Sequence, residues 1–425
     1  MSIISLILKK VLPEGDFSRN VLTLLTGTTI AQAIPVAMAP IMARIYSPED
    51  FGVLTLFLSI STIFSVVATG RYELAILLPK KEEDALSVML LALVINFAVS
   101  FLLFAVVFLF NQNICNWLNN DMISIWLYFI PLAILLNGII QTLNYWLNRK
   151  KEYKKLSFSK ISQTSSSNTV SFFMGISKFL SSGLIIGHLV GQISSTFYLY
   201  TKSGFRIKSE SVKKIKYKQY KEIALLYKNF PIYNSFTSLL DKVTSGLPVI
   251  FITKIFESKA AGFYGMTEKI IFGPASLISY SLSQVLIENI SYAHKNETSF
   301  KHKITAMFYK LLLIGVFPFS IFIFFSDTIF VFFLGENWLE AGIYAQILSI
   351  AFFARFVVSP LSVVFIATNK LQIAGYWQII YFLSTLIVVY IGYIYHNIML
   401  YFVLFTINEV IMYALYLYLI LKISK

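Results

Sequence analysis

Charged residues inside long apolar runs are the strongest functional candidates in this chain. A charge placed within a bilayer costs several kcal/mol, so such a side chain usually faces a water-filled cavity or a partner. Fixed Arg and Lys side chains suit the binding of an anion, whereas enclosed Asp and Glu side chains suit the carriage of a proton or cation. The candidates are Arg71, Glu73, Lys160, Asp241, Lys242, Glu268, Lys269, Arg355 and Glu409.

Structural pairing competes with a ligand role for several of these residues. Arg71 and Glu73 are two positions apart, so on a helix they point to different sides and would pair with neighbouring helices. Arg355 differs from them because it has no acid near it in sequence. A lone intramembrane cation needs water, a distant acid or a bound anion as its partner.

Two dipeptides combine an acid with a base. Asp241 precedes Lys242, and Glu268 precedes Lys269. The two pairs could neutralise each other across neighbouring helices, or their cations could bind an anion. Asp241, Glu268 and Glu409 are also the acids that could carry a coupling ion. No metal ligand cluster is expected, because no Cys/His group has the spacing of a metal site.

One predicted helix is unusually polar. It surrounds Lys160 and includes Gln163 and Asn168 within a Ser-rich stretch from Ser157 to Ser171. Such a helix either lines an aqueous lumen or packs closely through small residues. We favour the lumen, because Gln and Asn bring hydrogen-bonding groups that close packing does not need.

The first apolar run carries a further polar residue, Gln32, close to Pro35 and Pro40. Prolines kink membrane helices and free backbone carbonyls, which suits a helix beside a cavity. We therefore add Gln32 to the predicted cavity residues, although prolines are also common in passive membrane helices.

The elements that position these residues are predicted to be transmembrane helices. The 425 residues are 57% hydrophobic and 13% charged, and soluble proteins carry roughly twice this charge fraction. Apolar runs of about 20 residues cross a hydrocarbon core, and helices satisfy every backbone polar group there. We predict an all-α integral membrane protein with about twelve transmembrane helices. Their predicted bounds are 21–43, 53–78, 86–110, 123–147, 157–177, 184–201, 229–253, 261–291, 304–325, 343–368, 372–394 and 398–421.

The distribution of Lys and Arg predicts the orientation. These residues collect in alternate gaps, above all in 202–228, whereas 111–122 and 326–342 contain none. By the positive-inside rule the basic gaps and both termini are cytoplasmic. The formal net charge of +14 is spread over these loops, which argues against a nucleic-acid-binding face.

An internal repeat organises the predicted domains. The first helix ends in Arg44-Ile45-Tyr46 and the second opens with Phe51-Gly52; half a chain later, Lys254-Ile255-Phe256 precedes Tyr264-Gly265. Because each half has an even number of helices, the repeat is parallel, with its axis along the membrane normal. The predicted domains are a cytoplasmic amphipathic N-terminus (1–20), a six-helix bundle (21–201), a basic cytoplasmic linker (202–228) and a second six-helix bundle (229–425).

The stretch from Thr26 to Leu78 resembles the bacterial Wzx-type polysaccharide flippases. These O-antigen and capsule translocases belong to the multidrug/oligosaccharidyl-lipid/polysaccharide superfamily. The resemblance is carried by Ala39-Pro40-Ile41, by 44–52 (Arg-Ile-Tyr-Ser-Pro-Glu-Asp-Phe-Gly) and by 70–75 (Gly-Arg-Tyr-Glu-Leu-Ala). Elsewhere only the number of helices, the length and the two-lobed layout agree.

The resemblance implies a V-shaped pair of six-helix bundles in the bacterial cytoplasmic (inner) membrane. It further implies that an undecaprenyl-pyrophosphate-linked oligosaccharide moves from the inner to the outer leaflet, among membrane lipids and alongside a polysaccharide polymerase and a chain-length regulator. The cations that would then face the pyrophosphate are Arg355, Lys160, Arg71, Lys242 and Lys269. No cofactor is expected, and coupling to H⁺ or Na⁺ stays open.

Two other functions compete with a flippase. A cation-coupled multidrug exporter of the same superfamily would be expected to carry an acid in its first helix, and the predicted helix 21–43 has none. A membrane polysaccharide polymerase or ligase would need a large external loop, whereas the loops predicted outside are short. The chain has no nucleotide-binding loop and no catalytic signature, so we do not expect an enzyme.

Overall fold

The computed structural model describes residues 16–204, 217–295 and 299–424, and the regular structure in these ranges is helical. The long helices follow each other along the chain with short connections. Their bounds are Asp16–Ile45 (α1), Pro48–Ser65 (α2), Glu82–Leu118 (α3), Ile130–Arg149 (α4), Tyr153–Ile176 (α5), Leu180–Lys202 (α6), Tyr217–Leu226 (α7), Ser235–Thr267 (α8), Gly273–Lys295 (α9), Lys301–Leu334 (α10), Leu339–Val358 (α11), Leu371–Tyr395 (α12) and Ile398–Ile423 (α13).

Shorter pieces connect these helices. A helix of one turn, Ser124–Leu127, precedes α4, and Val363–Ala367 follows α11. Seven helices of the described ranges are long and apolar enough to cross a membrane. The predicted all-helical membrane fold is thus confirmed, and the predicted total of about twelve spans stays a prediction.

The second predicted helix is wrong in its second half. The prediction ran to residue 78, but α2 ends at Ser65 and a separate 3₁₀ helix covers Tyr72–Leu77. Between them, Gly70 (φ 59°) and Arg71 (φ 61°) both adopt the left-handed conformation, which an α-helix cannot continue through. The apolar composition of 72–78 is typical of a membrane helix, so hydropathy alone does not reveal this turn.

A break at Phe256 and Glu257 separates the seventh and eighth predicted helices, in the gap predicted between them. Within α8, Phe256 and Glu257 have non-helical backbone angles, with Glu257 at φ 71° and ψ 167°. A π-helical segment, Glu268–Phe272, then joins α8 to α9. Short π-helical segments within α-helices often occur at functional sites.

Two predicted segments lie largely outside the described residues. Of the predicted amphipathic N-terminus, residues 1–15 are outside, and 16–20 form the first turns of α1. Of the predicted basic linker, 205–216 are outside, and α7 covers much of the remainder. In α7, Ile223 is buried and the backbone carbonyl of Ala224 accepts a 3.0 Å hydrogen bond from Tyr72.

Contacts divide the chain into two compact units. We call Glu14–Pro35 with Val53–Lys254 the N unit, and Val36–Gly52 with Ile255–Lys425 the main part of the C unit. The second half of α1, which was predicted in the first bundle, belongs to the C unit. The first part of α8, which was predicted in the second bundle, belongs to the N unit. The predicted boundary at 202–228 itself stays a prediction.

At one end of the N unit the predicted cytoplasmic gaps meet. The guanidinium of Arg149 donates hydrogen bonds to the carbonyls of Ile76 (3.1 Å) and Lys80 (3.4 Å). Beside them, Lys150 pairs with Glu82 at 3.1 Å. The basic gaps after α2 and α4 therefore lie at the same end of this unit, as the alternation of charge requires.

The motif at residues 47–52 is a helix start. Ser47 precedes Pro48, and its hydroxyl accepts a 3.2 Å hydrogen bond from the backbone N–H of Asp50, while the Asp50 carboxylate accepts one from the Ser47 N–H at 3.0 Å. This reciprocal capping box, with proline as the first helical residue, satisfies N–H groups that the first turn leaves free. The residues that carry the family resemblance thus fix where α2 begins.

Two glycines of the C unit allow two backbones to touch. A Cβ on Gly52 would overlap the carbonyl oxygen of Ser258, and a Cβ on Gly262 would overlap the carbonyl oxygen of Pro48. Pro48 and Ser258 are 210 residues apart (258 − 48), and so are the two glycines (262 − 52); on each helix the two contact residues are four positions apart. The reciprocity identifies Gly262, and not Gly265, as the repeat equivalent of Gly52.

Candidate functional site

A buried ion pair in the C unit joins two of the predicted site residues. Arg355 of α11 lies 2.9 Å from the Glu409 carboxylate of α13 through Nη2, and its Nε also donates to that carboxylate at 3.3 Å. The Glu409 side chain is 0% exposed and that of Arg355 is 13% exposed. The hydroxyl of Tyr381 in α12 donates to the second carboxylate oxygen, and Arg355 donates to the Tyr381 hydroxyl at 3.2 Å.

Aromatic rings enclose this ion pair. The guanidinium of Arg355 lies 5.2 Å from the ring centre of Phe272, which belongs to the π-helical segment. Tyr381 stacks on Trp377 at 5.0 Å and meets Tyr413 edge-on at 6.2 Å. A cation over a ring face is attracted by the ring quadrupole, and rings exclude water from the charges. The pair is therefore held in a rigid and largely dry setting.

The structure gives Arg355 one of the partners that the sequence left open. Its distant acid is Glu409, the alternative that the sequence left open, and both oxygens of that carboxylate accept hydrogen bonds. Two of the guanidinium nitrogens already donate to protein groups. A role of Arg355 toward an anionic substrate stays a prediction, and the geometry favours a structural ion pair.

Glu268 and Lys269 lie at the start of the π-helical segment in the same unit. Tyr264, one turn earlier, interacts electrostatically with Glu268, Arg355 and Glu409. Two of the three predicted coupling acids, Glu268 and Glu409, thus contribute to the electrostatic environment of the same tyrosine. The Lys269 ammonium lies 5.7 Å from the ring centre of Phe51, and no carboxylate pairs with it among the described residues.

Lys160 of α5 has a hydroxyl partner in the N unit. Its ammonium donates a 3.0 Å hydrogen bond to the Thr28 hydroxyl of α1, and the side chain is half-buried. Within the described ranges no carboxylate lies within ion-pair distance of it. An ammonium has three N–H donors, so this cation keeps donors for an anion.

The serines of α5 have a different role from the one predicted. Ser159 and Ser162 form 2.7 Å hydrogen bonds with Ser195 and Ser194 of α6. On the same face, a Cβ at Gly191 would lie 2.6 Å from the backbone oxygen of Gln163. Small residues here let two helices approach closely and exchange hydroxyl hydrogen bonds. Close packing therefore accounts for these serines, against our preference for a lumen.

The remaining polar residues of α5 are not used in this way. Gln163 and Asn168 are half-buried, and the Asn168 amide donates to the carbonyl of Thr164 at 2.7 Å. Gln32 of α1 is exposed. Their assignment to a substrate cavity stays a prediction.

The pair Arg71 and Glu73 departs from the prediction. These residues do not point to different sides of a helix; they lie in the turn after α2, where Arg71 Nη1 and Glu73 Oε1 are 3.5 Å apart. Glu73 is buried and accepts a hydrogen bond from the Thr69 hydroxyl. The left-handed backbone at Arg71 makes this local pairing possible, so the partners are not on neighbouring helices.

Asp241 and Lys242 pair with each other at 3.3 Å, and both side chains are about half exposed, at 50% and 40%. An exposed pair is well solvated, and such pairs contribute little free energy. Of the predicted coupling acids, Asp241 is consequently the one whose surroundings in its own unit are the least enclosed. Its predicted role, like that of Lys242 in anion binding, stays a prediction.

Sequence reasoning missed the two hydroxyl partners. Tyr381 bridges Arg355 and Glu409, and Thr28 holds Lys160. With 25 tyrosines in the chain, nothing in composition or spacing singles out Tyr381. Thr28 lies in the run Thr26–Thr29, whose polarity near a lysine-bearing helix was the available signal.

Comparison with known proteins adds the family context. A family described as polysaccharide biosynthesis protein matches residues 41–343. A Klebsiella pneumoniae protein, named an uncharacterised membrane protein in the cps region, is 22% identical over 354 residues, which cover 81% of this chain and 70% of that protein.

Several solved structures have a similar fold. The lipid II flippase MurJ in an inward closed conformation matches with a TM-score of 0.74 at 16% identity, covering 95% of this chain and 90% of that chain. The MATE multidrug transporter DinF-BH matches with a TM-score of 0.65 at 14% identity, covering 99% and 96%. An inward-facing MATE family transporter of the MOP superfamily matches with a TM-score of 0.63 at 11% identity, covering 95% and 98%. These likenesses establish a transporter fold.

Proposed function

The chain belongs to the polysaccharide biosynthesis protein family, and we propose that it is a flippase for a lipid-linked oligosaccharide. The proposed substrate is an undecaprenyl-pyrophosphate-linked O-antigen or capsule repeat unit. It would cross from the inner to the outer leaflet of the bacterial cytoplasmic membrane by alternating access. Both termini would lie in the cytoplasm, and a polysaccharide polymerase and a chain-length regulator would be neighbours in the pathway.

One observation in the structure supports anion transport most directly. Lys160 is a half-buried cation whose described partner is the neutral Thr28 hydroxyl at 3.0 Å. A carboxylate partner neutralises the charge of a cation and so weakens its attraction for a phosphate. A hydroxyl partner is neutral and leaves the positive charge uncompensated. A pyrophosphate needs such charges because its own desolvation is costly. Lys269 of the C unit also has no carboxylate partner among the described residues, and we assign each of these cations, separately within its own unit, to the anion.

We expect Lys160→Ala to reduce the rate of translocation about 10- to 150-fold, because one charge-assisted hydrogen bond contributes roughly 1.5–3 kcal/mol. The measurement is the transfer of a fluorescent polyprenyl-pyrophosphate oligosaccharide across proteoliposomes that contain the purified protein. Lys160→Arg should retain most of the rate, since it keeps the charge.

Thr28→Val is the matched control for this experiment. It removes the hydroxyl and leaves the lysine in place, so it should slow transfer far less than Lys160→Ala. If Lys160→Ala and Lys269→Ala are both well folded and both transfer substrate at the normal rate, the assignment of these cations to the pyrophosphate is wrong.

We further propose that H⁺ or Na⁺ coupling, where it occurs, uses Glu268 together with Glu409. Both acids and Arg355 contribute to the electrostatic environment of Tyr264, and we propose that this tyrosine links ion binding at Glu268 to the Arg355–Glu409 pair. Asp241 is less suited, because it is half exposed and paired with Lys242.

Transfer should therefore respond to an imposed pH or Na⁺ gradient, and Glu268→Gln should lose most of this response while binding substrate normally. Asp241→Asn is the comparison variant and should retain the response. Gradient-dependent transfer that persists in Glu268→Gln would contradict the assignment, as would its loss in Asp241→Asn alone.

Two features favour this function over the alternatives. The family is one of polysaccharide biosynthesis, and the membrane-spanning part of α1, Thr26–Ile45, contains no acid, unlike the acid expected for a cation-coupled drug exporter. A polymerase or ligase is disfavoured because α1 to α6 are joined by short connections, which leave little room for an external catalytic domain.

A further inference from the structure

A groove lies at the end of α1 in the C unit, on the side opposite to the predicted cytoplasmic gaps. Its volume is about 480 Å³. One wall is the last turns of α1 and the other is the end of α10. It is lined by Pro40, Ile41, Arg44, Ile45, Phe332 and Phe333.

The walls of this groove are formed largely by exposed apolar side chains. Phe332 is 73% exposed, Phe333 is 52% exposed and Ile41 is 43% exposed. Lipid chains are as apolar as these side chains, so burying them in a bilayer gives little hydrophobic gain. The groove can therefore hold an acyl chain by its shape, but any selectivity for a ligand must come from the one charged residue that lines it.

That charged residue is Arg44. Its side chain is exposed, and among the described residues it forms no ion pair. It is also one of the few cations in the predicted non-cytoplasmic gaps. An arginine fork binds phosphate oxygens in a bidentate manner, and the apolar groove beside it would accept the chain attached to such a phosphate.

We propose that this groove binds one anionic phospholipid, with its phosphate on Arg44 and one acyl chain along Ile41 and Phe332. A single cation matches the single charge of a phosphodiester. The helix end at Ile45 adds partial negative charge, which makes a multiply charged pyrophosphate a poorer match. In the predicted orientation the lipid belongs to the outer leaflet. The site does not depend on the transport proposed above.

The end of α1 is held in place for this role. Trp338 is fully buried, and its indole N–H donates to the carbonyl of Ala43 at 2.9 Å. Phe51 packs edge-on against the same indole at 5.4 Å. Because Ala43 directly precedes Arg44, these contacts fix the backbone from which the guanidinium extends.

Native mass spectrometry of the full-length protein, titrated in detergent with dioleoyl phosphatidylglycerol, tests the proposal. We expect one adduct of high occupancy. Arg44→Ala should raise the lipid concentration for half occupancy about fivefold, as expected for one basic side chain at a lipid surface. Lys259→Ala is the matched control: this exposed cation belongs to the same unit but does not line the groove, so the adduct should be unchanged.

Two further measurements distinguish binding of the intact lipid from binding of its phosphate alone. Ile41→Trp should fill the groove and weaken the adduct although Arg44 is intact, and inorganic phosphate should not displace the lipid. The proposal is overturned if Arg44→Ala binds phosphatidylglycerol normally, or if phosphatidylcholine, which has the same chains and no net charge, binds equally well. Full binding by a folded Ile41→Trp variant would equally overturn it, as would displacement by phosphate. A melting curve for each variant establishes that it is folded.

Discussion

Arg355→Ala is expected to cause a large loss of stability. It leaves the Glu409 carboxylate, which is 0% exposed, without its cation. Breaking one side of a buried ion pair costs about 3–5 kcal/mol, because the remaining charge is uncompensated. Membrane abundance and the melting temperature of a fluorescent fusion in detergent should both fall strongly.

The double variant identifies the cause of this loss. Arg355→Met combined with Glu409→Leu removes both charges and keeps side-chain volume, so abundance and melting temperature should recover most of the way. Recovery should be incomplete, because the buried Tyr381 hydroxyl then loses both of its hydrogen-bond partners. A stable, abundant Arg355→Ala variant that no longer exports polysaccharide would instead assign Arg355 to the substrate.

Gly262→Ala is expected to have the next largest effect. The added Cβ would overlap the carbonyl oxygen of Pro48 and lie 2.9 Å from the backbone N of Gly52. Backbone atoms cannot rotate away as a side chain can, so we place the cost near the upper end of the usual range for overpacking, about 3 kcal/mol. Thermal melting of the purified protein measures this change.

Gly273→Ala is the matched control for the glycine substitution. A Cβ at Gly273 meets nothing within 4 Å, and alanine is the better helix former, so the melting temperature should stay the same or rise slightly. Gly52→Ala should resemble Gly262→Ala, because its Cβ would overlap the carbonyl oxygen of Ser258. Equal melting temperatures for the Gly262 and Gly273 variants would show that the contact yields easily.

The helices were predictable where length and hydropathy dominate. A membrane helix must satisfy its own backbone, so long apolar runs have few alternatives, and α3, α10, α12 and α13 each contain their predicted span. The start of α2 was predicted at residue 53 and lies at Pro48, although Ser47 and Asp50 have the spacing of a capping box with Pro48 between them. The end of α2 was also missed, since 72–78 is as apolar as a membrane helix.

The site was predictable in its charges and not in its partners. The free-energy cost of placing a charge within a bilayer identifies Arg355, Glu409 and Lys160 as candidates in any helical fold. Which of them meet depends on how helices far apart in sequence pack, and Tyr381 joins a pair separated by 54 positions. The register of the repeat was similarly ambiguous: Gly265 matched Gly52 by its aromatic neighbour, whereas the backbone contact selects Gly262.

The glycine contact has the symmetry of an isologous interface. Pro48 meets Gly262 as Ser258 meets Gly52, so each partner presents the same i and i+4 positions to the other, as two copies related by a two-fold axis do. In a homodimer of half-length chains, one Gly→Ala mutation would add a Cβ at both glycines of such a contact. In a single chain the same mutation adds a Cβ at one glycine and leaves the other contact unchanged. Joining the repeats therefore halves the penalty of each mutation at this contact and lets the two glycines change independently.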